Sequence, residues 1–184
     1  MDTTVDLDTT DDAFLGGRLR LLQASKGLRA GVDAVFLAAA TPVSPTASER
    51  ILDIGSGCGV VGLCAMTRAP NSTLVGLEKN VELVELAQRN AERNGLSERA
   101  AFHTADVRSI SRTMSVCGLQ PNTFDHVVAN PPFFKDGTVQ HASEAIKHGA
   151  NVMGPDDIDA WVRFLVQAAR ARGTATLVLS LIHI

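Results

Sequence analysis

The positions of apolar and polar residues along the chain predict strands and helices that alternate. Short apolar runs predict strands at residues 51–54, 72–77, 99–104, 124–129 and 174–180. Apolar side chains at helical spacing predict helices at residues 60–69, at 81–93 between Asn80 and the stop Asn94-Gly95, and from Asp156 or Asp157 to Gly173. Asp33 is placed to cap a further short helix at residues 34–40. We expect the strands to form an open parallel sheet, in which ligands bind beyond the carboxyl ends of the strands.

The first thirty residues divide into an acidic part and a basic part. Residues 1–12 contain five aspartates among threonines, so we expect a disordered tail, because this composition buries little apolar surface. Residues 14–30 contain no acid, and residues 18–22 alternate as a short strand does, which predicts a small basic hairpin. Its basic residues are Arg18, Arg20, Lys26 and Arg29. They form either a surface that faces a polynucleotide or an ordinary solvated strand face.

Composition and charge indicate a single globular domain and limit the kinds of partner and compartment that fit this chain. The chain has 184 residues, 45% of them hydrophobic, which suits a single domain with a substantial core. Its net charge of −3 gives no overall basic field, so any surface for nucleic acid must be local. Cys58, Cys64 and Cys117 have neither metal-ligand spacing nor the density of a disulfide scaffold, which indicates a reducing compartment. Because no apolar run is long enough to span a membrane and residues 1–12 are not signal-like, we expect a cytoplasmic protein without a membrane partner.

The strand at residues 51–54 leads into a glycine-rich loop that we interpret as a cofactor site. Gly55, Gly57 and Gly59 stand at alternate positions, where the absence of a Cβ lets the backbone turn sharply and approach a ligand. The helix predicted next begins where the loop ends, so its free N–H groups face whatever the loop binds. Glu78, at the tip of the second strand, is placed to accept hydrogen bonds from both hydroxyls of a ribose, although a helix N-terminus also favours an acid there.

Two classes of cofactor fit this loop. Gly57, Gly59 and Gly62, followed by Glu78, satisfy the G-x-G-x-x-G pattern of dinucleotide sites and allow a nicotinamide-dependent dehydrogenase. Asp53 argues against a dehydrogenase, because a carboxylate inside a buried strand needs a partner and a dinucleotide strand stays apolar up to its first glycine. The arrangement D-x-G-x-G-x-G resembles instead the first motif of class I S-adenosylmethionine methyltransferases.

Residues 130–133 follow the fourth predicted strand and read N-P-P-F, which suits methylation of a planar nitrogen. Such a nitrogen is a poor nucleophile, because its lone pair is delocalised into a ring or a carbonyl. The side-chain oxygen of Asn130 and the carbonyl of Pro131 can each accept one of its hydrogens and hold the lone pair toward a methyl donor. Pro131 and Pro132 restrict the loop before substrate binds, and Phe133 offers a face on which a base or amide stacks. This chemistry needs neither a metal nor a general base.

Together these motifs resemble those of the amino-methylating class I enzymes, and residues 14–180 resemble the bacterial tRNA1(Val) adenine-N6 methyltransferase family. The narrower resemblance depends on the basic hairpin, Gly31 with Asp33, the aromatic pair Phe133 and Phe134, and the loop around Lys147 and His148. It implies a Rossmann-like α/β fold with a mostly parallel sheet and helices on both faces. It also implies S-adenosylmethionine as cofactor and a flipped adenine of tRNA as substrate.

The resemblance assigns roles to individual residues. The cofactor would contact Gly31, Asp33, Asp53, Gly55, Gly57, Glu78 and Asp106, the last of these at the adenine amino group. The substrate base would be held by Asn130, Pro131, Pro132 and Phe133. The RNA would contact Arg18, Arg20, Lys26, Arg29 and Phe134.

Two departures from the family pattern bear on these expectations. Phe133 stands where tyrosine is commoner, which keeps stacking and loses a hydroxyl. A class I sheet has seven strands with the seventh beside the fifth, so we expect the last strands to be missing and residues 181–184 to lie on an uncovered sheet edge. The methyltransferase domain would then span residues 13–184 and be incomplete at its C-terminus.

We therefore expect transfer of a methyl group from S-adenosylmethionine to the N6 amine of an adenine in tRNA. The same chemistry fits the glutamine amide of a release factor or guanine N2 of ribosomal RNA, and the basic hairpin favours RNA. Outside this chemistry, a dehydrogenase and an inactive RNA-binding module stay open. The histidines of residues 134–154 lie in an expected substrate-facing loop and are not expected to bind a metal.

Overall fold

The structure is a computed structural model that describes residues 8–26, 29–109, 113–115, 117–131 and 155–179, with the backbone alone for residues 155–157. The strands are β1 Thr9–Phe14, β2 Leu19–Ala24, β3 Arg50–Ile54, β4 Thr73–Glu78, β5 Ala100–Thr104, β6 Phe124–Ala129 and β7 Ala169–Leu177. The helices are α1 Val32–Ala40, α2 Val60–Met66, α3 Val81–Arg93 and α4 Pro155–Ala168. A 3-10 turn, Leu15–Gly17, links β1 to β2. Within the described residues, no helix is both long and apolar enough to cross a membrane.

Five of the strands form one parallel sheet in the order β5-β4-β3-β6-β7. The chain runs from β3 outward to β4 and β5, then returns to place β6 on the other side of β3. Strand order therefore reverses between β3 and β6, where open α/β sheets bind their ligands. Ile54 at the end of β3 pairs with Leu77 of β4 and Ala129 of β6, so the segments that follow these strands lie together. This arrangement confirms the predicted parallel sheet.

The parallel sheet is covered by helices on both faces, because its central strands are apolar on both sides. Along β3, Ile51 belongs to the core on one face and Leu52 to the core on the other, and both are fully buried. Helices α1, α2 and α3 contribute to the core of Ile51, and α4 contributes to the core of Leu52. The two layers of helices confirm the Rossmann-like fold.

Helix α3 begins and ends where the sequence predicts. The side chain of Asn80 accepts a hydrogen bond from the N–H of Glu82 at 2.8 Å, which satisfies one of the free donors of the first turn. Gly95 follows the last turn with a φ of +66°, a left-handed conformation that favours glycine at the end of a helix. The helix buries an apolar face that includes Val84 and Ala87.

The expectation that residues 1–12 are disordered is wrong from Thr9 onward. Strand β1 begins there and pairs antiparallel with β2 along its whole length. An aspartate that suggested disorder has cationic partners from elsewhere in the chain, since Asp11 lies 3.1 Å from Arg20 and 2.9 Å from Arg93. Composition alone does not reveal these partners. Residues 1–7 lie outside the described residues.

The predicted boundary between the last helix and the last strand is also wrong. Helix α4 ends at Ala168 rather than near Gly173, and β7 follows without a loop. Strand β7 pairs with β6 at Ala169 and again from Thr174, so residues 170–173 bulge out of the ladder. The alternation of alanine and arginine in this segment favours a helix by propensity, and pairing with β6 overrides that preference.

Helix α1 begins at Val32, and Gly31 occupies its N-cap position without a side-chain hydrogen bond. The prediction that Asp33 caps this helix is therefore wrong. Asp33 lies inside the first turn, where the helix dipole favours an acid. Its side chain is free to contact another element of the fold.

Candidate functional site

Three left-handed backbone conformations build the loop between β3 and α2, the glycine loop. Gly55, Gly57 and Gly59 have φ values of 68°, 53° and 87°, which L side chains rarely adopt, so the predicted need for glycine is confirmed. A Cβ added at Gly57 would meet no atom within 4 Å, so this part of the loop borders open space. A Cβ added at Gly55 would overlap the indole ring of Trp161. The buried indole of α4 therefore packs directly against the start of the loop.

Asp53 is a carboxyl group inside a buried strand, and its partner is the first turn of α2. The residue is 1% exposed, and its Oδ2 accepts a hydrogen bond from the N–H of Gly62 at 2.9 Å. N–H groups in a first turn have no partner within their own helix. Burial raises the pKa of Asp53 to about 7, against the effect of the Gly62 N–H, and the negative charge of Glu78 adds to the rise. Asp53 thus joins the strand to the helix across the glycine loop.

Glu78 ends β4 and links the glycine loop to the start of α3. Its Oε2 accepts a hydrogen bond from the N–H of Gly57 at 2.9 Å, and its Oε1 accepts one from the N–H of Asn80 at 2.9 Å. Two backbone donors therefore hold the carboxylate between the loop and the helix. Each carboxylate oxygen keeps a lone pair for a further donor. The contact of Glu78 with a ribose stays a prediction.

Asp106 follows β5 and lies next to this cluster. The N–H of Ala105 donates to the carbonyl of Glu78 at 2.8 Å, which ties the segment after β5 to the end of β4. Oδ2 of Asp106 lies 3.2 Å from Arg108 and 3.6 Å from Lys79. Partial burial acts to raise the pKa of Asp106, but the hydrogen bonds of Arg108 and the charges of both cations bring it below its ordinary value. Asp106 is therefore an ionised acceptor at neutral pH, and its role toward adenine stays a prediction.

Asn130 follows β6 and lies across from the glycine loop. Because Ala129 pairs with Ile54, Asn130 and Gly55 leave neighbouring strands at the same level. Nδ2 of Asn130 donates a hydrogen bond to Oδ2 of Asp33 at 2.6 Å. Oδ1 of Asn130 is buried and has no hydrogen-bond partner in the described part of the chain. A buried acceptor without a partner is rare and marks a position where a donor can bind.

Of the other three residues of the N-P-P-F motif, the structure describes only Pro131. Pro131 follows Asn130 and is buried. Pro132 and Phe133 lie outside the described residues, as do Phe134 and the predicted substrate-facing loop. Their roles stay predictions from the sequence.

The predicted basic hairpin carries acids on its first strand. The hairpin is formed by β1 and β2 and is counted here with Lys26 and Arg29, which follow β2, so it includes aspartates that precede the basic segment in the sequence. Asp11 lies 3.1 Å from Arg20, and Asp12 lies 2.6 Å from Arg29. The surface of the hairpin is therefore not purely basic, because two of the four predicted cations, Arg20 and Arg29, are paired with aspartates.

Two cations of the hairpin have a different environment. Arg18 and Lys26 are exposed, and neither has an ion-pair partner among the residues that the structure describes. Contact of the hairpin with RNA stays a prediction, and these two side chains are the better candidates for it.

Asn90 supports the site and is not among the predicted residues. Its fully buried side chain accepts a hydrogen bond from the N–H of Leu22 at 2.7 Å. It donates to the carbonyls of Leu22 and Cys58, each at 2.9 Å. One amide therefore joins the hairpin, α3 and the glycine loop. The signal in the sequence is a polar residue on the apolar face of α3, between Ala87 and Ala91.

Cys58 and Cys64 carry neutral thiols at neutral pH. Burial raises the pKa of Cys58 and of Cys64 to about 12. The thiolate is the reactive form, so both cysteines are packing residues at neutral pH, as predicted. No group of three or more His, Cys, Asp or Glu side chains placed to hold a metal ion occurs in the described segments.

Several known proteins are similar in sequence to this chain. Residues 30–169 match the family model described as methyltransferase small domain. The chain is 29% identical over 153 residues to the tRNA1(Val) (adenine(37)-N6)-methyltransferase of Shewanella sediminis, which covers 83% of this chain and 60% of the relative. It is 34% identical over 126 residues to the enzyme of the same name from Porphyromonas gingivalis, covering 67% of this chain and 48% of the relative.

A third relative carries a different name. The chain is 30% identical over 109 residues to the release factor glutamine methyltransferase of Chlorobaculum tepidum, covering 59% of this chain and 36% of the relative. The chain spans about half the length of the curated relatives it matches. Among solved structures, the SAM dependent methyltransferase from Agrobacterium tumefaciens has a similar fold, with a TM-score of 0.62 and 16% identity over 92% of this chain and 52% of that one.

Proposed function

Because the chain belongs to the methyltransferase small domain family, we propose that it transfers a methyl group from S-adenosylmethionine to the N6 amine of an adenine in tRNA. The observation that carries this proposal is the buried Oδ1 of Asn130, which has no partner among the described residues and lies beside the glycine loop. An incoming N–H would satisfy this acceptor, and an exocyclic amine has two N–H groups. A tRNA substrate would place the activity in the cytoplasm.

The residues around the glycine loop fit S-adenosylmethionine. When bound, this cofactor supplies a methyl group on a positively charged sulfur. Glu78 keeps lone pairs for ribose hydroxyls, and Gly57 borders open space where a ligand can approach the backbone. Asp106 offers an ionised acceptor for an amino group. Asp53 acts indirectly, because its hydrogen bond with Gly62 fixes the helix that follows the loop.

Asn130 and Pro131 would hold the target nitrogen. Their two oxygens match the two hydrogens of an exocyclic amine, which turns the nitrogen lone pair toward the methyl group. Phe133 would stack on the base, and Pro132 would restrict the loop before the base arrives. The attacked nitrogen becomes acidic once it is methylated, so its proton leaves without a dedicated general base.

A second candidate substrate is the glutamine amide of a release factor. One relative named for that reaction is 30% identical over 109 residues, and a glutamine amide also presents two N–H groups on a planar nitrogen. Guanine N2 of ribosomal RNA has the same chemistry. The relatives named for tRNA cover 83% and 67% of the chain, more than the 59% of the release factor enzyme. Coverage therefore favours adenine in tRNA.

Methyl transfer from radiolabelled S-adenosylmethionine by the full-length protein tests the proposal. We expect label in unmodified tRNA and recovery of N6-methyladenosine after digestion. Asn130→Ala should lower kcat by about 100-fold, since removal of one preorganised group at a reacting centre typically costs this much. The same variant should still bind S-adenosylhomocysteine, because Asn130 is not among the residues assigned to the cofactor.

Control reactions separate the alternatives. Label in a release factor or in ribosomal RNA, and none in tRNA, would contradict the tRNA substrate. S-adenosylhomocysteine should raise the Tm of the protein and NAD should not, since only a ligand of the native state stabilises it. Stabilisation by NAD alone would contradict the cofactor assignment. Full activity of Asn130→Ala would show that the motif is only a turn.

A further inference from the structure

The contact between Asp33 and Asn130 determines which end of the Asn130 amide faces the site. A side-chain amide has nearly the same shape after a rotation that exchanges its oxygen and nitrogen. A carboxylate accepts hydrogen bonds and has none to donate, so the group of Asn130 that faces Asp33 at 2.6 Å is the NH₂. Oδ1 then points the other way, where it is buried and without a partner among the described residues. With the opposite orientation, two oxygens would face each other.

Gly31 leaves room for this carboxylate. Its φ of −101° is open to any residue, so backbone conformation does not require glycine. A Cβ added at Gly31 would lie 2.8 Å from Oδ1 of Asp33, closer than real Cβ atoms approach an oxygen. Oδ1 of Asp33 thus occupies the space that a side chain at residue 31 would need, and Oδ2 accepts the hydrogen bond from the amide of Asn130. The G-x-D segment therefore has a geometric role toward Asn130.

We propose that Asp33 is a positioning residue that holds the Asn130 amide with its oxygen toward the substrate, and that Gly31 makes the space for it. The inference rests on the proposed function for the nature of the incoming group, an amine. It extends that function to specificity, because a fixed oxygen accepts an amino group and repels a carbonyl oxygen in the same place. Asp33 thereby selects adenine over hypoxanthine, which carries an oxygen in place of the amine.

Substitution of Asp33 in the full-length protein tests this role. Asp33→Ala removes the acceptor and should lower kcat on tRNA by about 10- to 100-fold, the range for a lost charge-assisted hydrogen bond. Asp33→Asn can still present an oxygen to Asn130, so it should recover part of this loss. Asp33→Ala should lose the preference for adenine over inosine at the target position, and Asp33→Asn should keep part of it, as measured by competition binding of the two tRNA transcripts. This positioning role replaces the cofactor contact that the resemblance assigns to Asp33, so the Kd for S-adenosylhomocysteine should stay near that of the wild type.

Gly31→Ala is the matched variant that leaves Asp33 in place. The atom it displaces is the end of a side chain rather than backbone, so the Tm should change little while kcat falls in the same direction. Asp33→Ala should also have no further effect on kcat in an Asn130→Ala background, because both substitutions remove the same hydrogen bond between Asp33 and Asn130. Additive losses in kcat, or a weaker Kd for S-adenosylhomocysteine in both backgrounds, would overturn the proposal and indicate that Asp33 contacts the cofactor directly.

An NMR measurement separates this inference from the proposed function. The side-chain amide resonances of Asn130, identified by their absence in Asn130→Ala, should shift in Asp33→Ala and less in Asp33→Asn. If the resonances shift but the wild-type protein does not methylate tRNA, the positioning role is supported and the tRNA proposal fails. Unchanged resonances would overturn the positioning role whatever the protein methylates.

Discussion

Asp53 shows how one buried carboxyl group joins the strand before the glycine loop to the helix after it. The sequence predicts that a charge inside an apolar strand needs a partner, and the structure supplies the N–H of Gly62. One hydrogen bond does not offset burial, so the pKa of Asp53 rises to about 7. The folded protein therefore binds a proton at Asp53 at a pH where the unfolded chain does not.

The stability of the protein should depend on pH through Asp53. A folded pKa above the unfolded value of 3.8 gives stability that is complete below pH 3.8 and is lost as pH rises through about 7. Relative to Asp53→Asn, the wild type should lose about 3 kcal/mol of unfolding free energy between pH 5 and pH 8. Urea unfolding of both proteins without cofactor measures the difference.

Asp106 provides the control for this prediction. Its pKa lies below the ordinary value, so its stabilising contribution is present above the unfolded pKa and is lost only as pH falls through the lower folded pKa. Asp106→Asn should therefore differ from the wild type by a constant amount between pH 5 and pH 8. A constant difference for Asp53→Asn as well would show that Asp53 is ionised in the folded protein throughout.

At the scale of elements, α3 and its C-cap hold the hairpin through two side-chain amides. These amides make the backbone hydrogen bonds that a neighbouring strand would otherwise make. Asn90 exchanges hydrogen bonds with both backbone groups of Leu22, and Asn94 does the same with Arg20 two residues earlier. Asn90 and Asn94 lie one helical turn apart, which matches the spacing of alternate residues along β2. The edge of β2 that does not face β1 is thus satisfied by a helix.

Removal of the Asn90 amide should loosen the hairpin. Asn90→Ala leaves the buried backbone groups of Leu22 and the carbonyl of Cys58 without partners, so we expect about 2 to 4 kcal/mol of destabilisation. Amide hydrogen exchange in β1 and β2 should rise together. Asn94→Ala is the matched control, because its bonds to Arg20 are exposed and water replaces them, at a cost below about 1 kcal/mol. Equal effects of the two variants would contradict the dominant role of the buried amide.

The elements divide into those that local pattern predicts and those that distant pairing determines. Strands β3 and β6 and helix α3 follow from apolar runs, from the cap at Asn80 and from the stop at Gly95. Strand β1 is acidic and polar, and it forms because β2 and Arg93 supply partners that a local window does not contain. The start of β7 has helical composition, and its pairing with Phe124 determines its conformation.

For the whole molecule, the net charge of −3 conceals how the charges are arranged on the hairpin. Arg20 and Arg29 form ion pairs with aspartates of β1, whereas Arg18 and Lys26 have no such partner among the described residues. Bound RNA gains little from a cation that is already neutralised. The hairpin should therefore bind RNA through its unpaired cations.

The salt dependence of RNA binding tests this distinction. Replacing Arg18 and Lys26 with alanine should lower the slope of log Kd against log salt by about 2, one for each lost phosphate contact. Replacing Arg20 and Arg29 should lower it by less. Filter binding of tRNA from about 50 to 200 mM salt measures both slopes. Equal reductions would mean that the ion pairs open on binding, and no reduction in either would remove the hairpin from the RNA surface.

The position of the site follows from topology, but its internal contacts do not follow from the sequence. Parallel strands bring their carboxyl ends to one edge, so Asn130 is predicted to lie beside the glycine loop. The hydrogen bond between Asp33 and Asn130 joins residues 97 positions apart. Helical or strand periodicity does not relate residues so far apart, so the sequence does not predict this contact. It becomes visible only once α1 is packed against the sheet.

The contact between Gly55 and Trp161 has a practical consequence. Trp161 is the only tryptophan of the chain, and its ring packs under the first residue of the glycine loop. Indole emission depends on the polarity and proximity of the groups around the ring. The protein therefore contains its own fluorophore at the glycine loop, and binding of a ligand to this loop should change the intrinsic fluorescence, with no label attached and no other indole contributing background.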